Sequence, residues 1–184
     1  MMRKPLKPYR WMNRTDIKAT IEGFPTEKWV LPLMMVSGGI SHGVIYELFL
    51  GQVDFTKDPT RIMMTKKMTG HTYVTFISKE ATFLLKQHIA KSKITKSDEK
   101  IFVWNPDSIL RLWRAALKQA GLEAIPIKAL RKFFYIKARI KNPLCADLLV
   151  GHIIGAVRNP EFSIDIPILE NFYRELEPEV SNFL

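Results

Sequence analysis

Lys128, Arg131, Lys132 and Tyr135 stand at spacings of three, four and seven in the stretch IKALRKFFYIK, residues 127–137. A helix gathers that spacing on one face and turns Leu130, Phe133, Phe134 and Ile136 the other way. Two ammonium groups, a guanidinium and a phenol side by side suit a polyatomic anion. The guanidinium forks onto two oxygens, and lysine adds point charge. His152, directly after Gly151, is a further donor of this kind. From spacing alone, a solvated basic face and a histidine favoured by a helix C-terminus describe the same residues equally well.

The elements that must position these groups belong to a chain of 184 residues, 47% hydrophobic, enough for one core and a short arm. Twenty-eight Lys and Arg against eighteen Asp and Glu leave a formal charge of +10, which points to a polyanionic partner, double-stranded DNA first. No segment reaches the roughly 20 apolar residues of a membrane span; WVLPLMMV at 29–36 is short and broken by Pro32. The basic N-terminus has no apolar signal run, so a soluble, cytoplasmic protein acting on DNA is expected. A lone Cys145 excludes an internal disulfide, and His42, His71, His88 and His152 lack metal-ligand spacing. No metal and no cofactor is expected.

Residues 1–25 read as a basic N-terminal arm carrying Arg10 and Arg14, with Pro5 and Pro8 opposing an early helix; residues 26–184 read as the domain proper. A helix is expected from Thr26 to Ser37-Gly38-Gly39, and a second from Ser41 to Gly51 with Val44, Ile45, Leu48 and Phe49 inward. Residues 61–78 have a strand period and predict a β-hairpin with Lys66 and Lys67 at its tip. Ser78 then caps a helix with Phe83, Leu84 and Ile89 inward, and the charged stretch 91–100 is a loop. Asn105-Pro106 opens a helix with Ile109, Trp113, Ala116, Leu117 and Ala120 inward and Arg111, Arg114 and Lys118 outward. Asn142-Pro143 starts a short helix ended by Gly151. Asp165 and Pro167 start the last, with Ile168, Leu169, Phe172 and Leu176 inward and Pro178 as its stop. Met34, Met35, Met63 and Met64 are expected to fill the core.

Taken in order, SGGISHGVIYELFLGQVDF, the lysine hairpin, ALRKFF and LLVGH resemble the catalytic domain of the tyrosine recombinases, or phage-type integrases, over residues 26–177. The archaeal and viral branch looks most similar. The resemblance implies a mainly α fold with a small antiparallel β-sheet. It also implies a site where a tyrosine attacks a DNA phosphodiester while cations hold the pentavalent phosphate. Arg131 matches the second catalytic arginine, Lys128 the histidine or lysine three positions earlier, and His152 the Gly-His histidine. Lys66 or Lys67 matches the hairpin lysine, a general acid toward the leaving 5′ oxygen. Lys132, Arg111, Arg114, Lys118, Arg10 and Arg14 would contact the DNA backbone. Tyr135 reads as a rim or packing aromatic.

Two positions depart from that pattern. Gly39 stands where the family has its first arginine, and nine residues past His152, at the place of the nucleophile, stands Glu161 with Phe162 beside it. A carboxylate there would repel phosphate, and a phenyl ring has no hydroxyl. Tyr173, 21 residues past His152, is the nearest later tyrosine and could serve only by a long excursion or in trans. The expected function is therefore DNA binding by a degenerate integrase-like domain deficient in strand cleavage. The family's separate N-terminal core-binding domain is expected to be missing, and protomers would assemble on DNA through the C-terminal segment. The alternatives are an active recombinase using Tyr173, and a protein-interaction or assembly module on the same fold.

Overall fold

Helix α2 (Val30–Gly38) is apolar all round, and all nine of its residues are buried. A helix of that kind has to be surrounded, and this one is the axle of the molecule. The computed structural model describes residues 11–65, 70, 72–152 and 165–184. Helices α4 (Lys79–Lys91), α6 (Ala129–Lys141) and α8 (Ile166–Val180) pack on α2, as does strand β3 (Thr72–Ile77). Pro32 lies in the first turn of α2, where a missing N–H costs the helix nothing.

The antiparallel sheet has the order β1 (Val53–Asp54), β2 (Thr60–Thr65) and β3, with Thr65 opposite Thr72 at the last described pair of the hairpin. Alternation puts Ile62 and Met64 inside and leaves Met63 46% exposed, so Met63 does not fill the core as expected. Lys66 and Lys67, expected at the tip, lie outside the described residues.

The stretch expected as an arm contains helix α1 (Arg14–Glu22). Asn13 and Asp16 close a reciprocal capping box, and Ile17 and Ile21 are in the core. The basic charge marked an arm, but the cap and two buried isoleucines fix residues 14–22 as a helix on the core. Arg14 donates to the Pro178 carbonyl at 2.9 Å and lies over the Phe183 ring, which ties the chain's two ends together. Arg10 is outside the described residues.

The helix expected from Ser41 to Gly51 is only α3 (His42–Ile45). Beyond it the chain extends and pairs with the 97–101 stretch: Ile101 N donates to Leu48 O, and Leu50 N to Glu99 O. Those bonds, invisible to local periodicity, end the helix early.

Ser78 does cap α4, accepting from Ala81 N, and Leu84 and Ile89 pack on the core as expected, but Ala81 and Leu85 are its fully buried residues and Phe83 is exposed. Helix α5 (Pro106–Gln119) matches its expectation. Asn105 caps it, Ile109, Trp113, Ala116 and Leu117 are buried, and Trp113 Nε1 donates to Ile125 O. Helix α6 buries Leu130, Phe133 and Phe134 as expected, with Ala138 rather than Ile136 completing the face. Helix α7 (Pro143–Leu149) is capped by Asn142. In α8 the buried stripe is Leu169, Tyr173, Leu176 and Val180, Ile168 is exposed, and the helix continues past Pro178. Among the described residues no helix is long and apolar enough to cross a membrane.

Candidate phosphate-binding cleft

Two helices end beside each other on glycines in the left-handed conformation, Gly39 after α2 and Gly151 after α7. The second end is a Schellman turn: His152 N donates to Asp147 O at 2.7 Å, and Gly151 N to Leu148 O at 2.8 Å. A Cβ on Gly151 would lie 2.5 Å from Tyr73 Cδ1, so β3 runs directly under this turn.

Arg131, in the first turn of α6, joins both ends. Its Nη1 donates to the Gly39 carbonyl at 2.9 Å and its Nη2 to the Val150 carbonyl at 2.8 Å. Carbonyls at a helix C-terminus carry partial negative charge, which a guanidinium offsets. The same residue lines a cleft of about 570 Å³ together with Lys128, Lys132, Tyr135, Val150 and His152.

The sequence-derived residues divide clearly on this geometry. Arg131, Lys128, Lys132 and His152 line one cleft. Lys132 Nζ also sits 3.4 Å from the Trp11 ring centroid. Lys128 is exposed and shares a neighbouring cleft with Arg114 and His42. Arg111, Arg114 and Lys118 are exposed on α5, with Arg111 donating to Ser108 Oγ. Arg14 donates to the Pro178 carbonyl and lines a separate pocket with Trp11, Phe133 and Lys137. Glu161 and Phe162 lie outside the described residues, as do Lys66, Lys67 and Arg10.

Gly39 has no room for an arginine or for any other side chain. Its φ is +62°, and a Cβ there would overlap the Phe134 ring. Tyr173, considered as a nucleophile, is instead fully buried between Phe76 and Phe134. Its hydroxyl donates to Ser37 O at 3.0 Å, and burial holds its pKa well above the usual tyrosine value. In this structure the phenol is an uncharged donor in the core, on the Ser37 carbonyl and not in the Arg131 cleft.

One residue of the site was not singled out in the sequence. Asp147 Oδ1 accepts from Tyr135 Oη at 2.8 Å and lies 2.9 Å from His152 Nδ1. The two rings meet edge to face, 5.3 Å apart. Burial works against the Asp147 carboxylate, but hydrogen bonds from His152 and then Tyr135 outweigh it, and its pKa lies below the ordinary aspartate value. The Tyr135 phenol is raised, first by its bond to Asp147 and then by burial. Tyr135 is thus a hydrogen-bonded wall of the cleft. The one sequence signal for Asp147 was an acidic residue inside the otherwise apolar run before Gly151-His152.

No protein-family model matches the chain, and no curated protein matches it. Solved structures do. XerA recombinase superposes with a TM-score of 0.67 at 17% identity, covering 94% of this chain and 66% of that one. XerH site-specific recombinase, bound to its difH substrate before cleavage, gives 0.63 at 15% identity, covering 91% and 55%. The lambda integrase catalytic core gives 0.59 at 17% identity, covering 77% of this chain and 94% of that one. The chain therefore spans less than two thirds of the XerH structure and about two thirds of the XerA structure. A mainly helical chain with a three-stranded antiparallel sheet, it has the fold of the tyrosine-recombinase catalytic domain.

Proposed function

We propose that this chain is a duplex-DNA-binding domain that grips backbone phosphate in the Arg131 cleft and is deficient in strand cleavage. The observation that carries the proposal is the convergence of Lys128, Arg131, Lys132 and His152 on one cleft, on a chain with formal charge +10. A guanidinium has five N–H donors, so two bonds to backbone carbonyls do not exhaust Arg131. Arg114 borders the cleft next to Lys128, and with Arg111 and Lys118 it extends the basic surface along α5. In this reading the cleft fixes one phosphate and the α5 face follows the backbone. The hairpin lysine, Lys66 or Lys67, would approach the same phosphate.

Loss of cleavage is supported by two features. Position 39 has no space for a second guanidinium, and the Tyr173 hydroxyl is committed to Ser37 in the core. Half of an arginine clamp still binds an anion, but it stabilises the additional charge of a pentavalent phosphate poorly. The motif wording favours the archaeal and viral branch of this fold group. The protein would act inside the cell, with protomers meeting on DNA through the C-terminal segment.

Fluorescence anisotropy on a labelled duplex tests the proposal. A footprint neutralising about six phosphates loses on the order of a thousandfold in affinity between 50 and 200 mM salt. A flat salt dependence contradicts it. A nicked suicide duplex should trap no covalent adduct at any protein concentration; an adduct abolished by Tyr173→Phe would restore the enzymatic alternative.

A further inference from the structure

We infer that Asp147 is a positioning residue that fixes the tautomer of His152, so that His152 engages phosphate only after taking up a proton. The inference rests on the phosphate-binding reading of the cleft and concerns how that site is regulated.

The chain of reasoning begins with one oxygen. Asp147 Oδ1 accepts the Tyr135 hydroxyl at 2.8 Å and has His152 Nδ1 at 2.9 Å. Interactions with both partners hold the carboxyl in its ionised form near neutral pH, and an ionised carboxylate is an acceptor only. The proton between them therefore belongs to Nδ1. In a neutral imidazole the other nitrogen, Nε2, then carries a lone pair, and His152 lines the cleft. Phosphate oxygens are acceptors too, and two acceptors repel. Only the imidazolium donates from both nitrogens at once, one bond to Asp147 and one to phosphate.

Other described groups set the balance. Asp147 bonds to Nδ1, and an incoming phosphate adds negative charge on the other side of the ring. Lys128, Arg131 and Lys132 share the cleft, and DNA would neutralise them. The Tyr135 phenol faces the His152 ring, Arg139 lies over Tyr135, and Tyr73 packs under Gly151. DNA binding should thus draw in one proton as the imidazole charges. A structural brace alone would not produce this coupling.

Two measurements decide it. In the free protein at pH 8.5, long-range proton–nitrogen NMR should find the His152 proton on Nδ1. A proton on Nε2 overturns the inference without reference to DNA or to any variant. With a labelled duplex at fixed salt between pH 6 and 8.5, affinity should fall as pH rises, by up to about tenfold per pH unit for one coupled proton. His152→Gln should flatten that slope, since an amide donates at any pH. Asp147→Asn should flatten it by restoring affinity at pH 8.5, because an asparagine can donate to Nδ1 and release Nε2 to carry the proton. A uniform loss in Asp147→Asn with the slope intact makes Asp147 a brace only and contradicts the inference. Binding that is weakened by Lys128→Ala yet flat with pH also contradicts the inference and leaves the cleft reading standing. Binding indifferent to Lys128→Ala overturns the cleft reading and, with it, the coupling.

Discussion

Arg131 closes the end of helix α2 by donating to the Gly39 carbonyl at 2.9 Å, across 92 residues of sequence. The second bond, to Val150 O, closes α7 in the same way. One guanidinium thus supports the fold and lines the cleft, and removing it should damage both. Arg131→Ala leaves two partly buried carbonyls without their charged donor. At roughly 1.5–3 kcal/mol for a hydrogen bond to a charged group, less relaxation and hydration, it should lose about 3 kcal/mol of stability in urea unfolding. Arg131→Lys can replace one bond and should lose about half as much. Unchanged stability in Arg131→Ala would show that these bonds contribute nothing.

Gly39→Arg, which would place an arginine where the resemblance to tyrosine recombinases expects one, should unfold the protein. A left-handed φ costs a residue with a Cβ about 1–2 kcal/mol, and overlap with the Phe134 ring adds a core rearrangement. Thermal melting should show a large drop in Tm, and Gly39→Ala a smaller one. A folded Gly39→Arg protein with tighter DNA binding would contradict this picture of the α2 end.

Tyr173→Phe should behave as a core substitution. It removes the donor to Ser37 O and keeps the ring between Phe76 and Phe134. The expected loss is about 1 kcal/mol, with DNA affinity unchanged. A changed affinity would connect Tyr173 to the cleft.

Asp147 has a folded pKa below its unfolded value, so between the two values the unfolded chain binds more protons and stability rises with pH. Its contribution is complete above the unfolded value, roughly pH 4, and is lost as pH falls through the lower folded value. Wild type and Asp147→Asn should therefore differ in Tm at pH 7 and converge as pH falls below the folded value. A constant difference across that range would mean that the carboxylate charge is not what Tyr135 and His152 stabilise.

How much of this was legible in the sequence follows the range of the forces involved. Asn105-Pro106 and the α5 stripe could be read because a cap and an amphipathic face are local. The Lys128, Arg131 and Lys132 stripe could be read for the same reason. The burial of Tyr173 could not be read: the inferred α8 stripe shares Leu169 and Leu176 with the observed one, and only packing against Phe76 and Phe134 brings Tyr173 into it. The short α3 ends where it does because of bonds to the 97–101 stretch, about 50 residues away. Asp147 was missed because its role needs a Schellman turn to fold His152 back and a second helix to bring Tyr135. Neither is visible in the spacing of one segment.

The most direct test of the phosphate cleft is the salt dependence of duplex-DNA affinity in Lys128→Ala against wild type. Lys128 is exposed, so the variant should keep its stability within about 0.5 kcal/mol and report on binding alone. A phosphate clamp requires weaker binding across all sequences and a log–log salt slope shallower by about one. Equal affinity and an equal slope would place the DNA elsewhere and contradict the clamp.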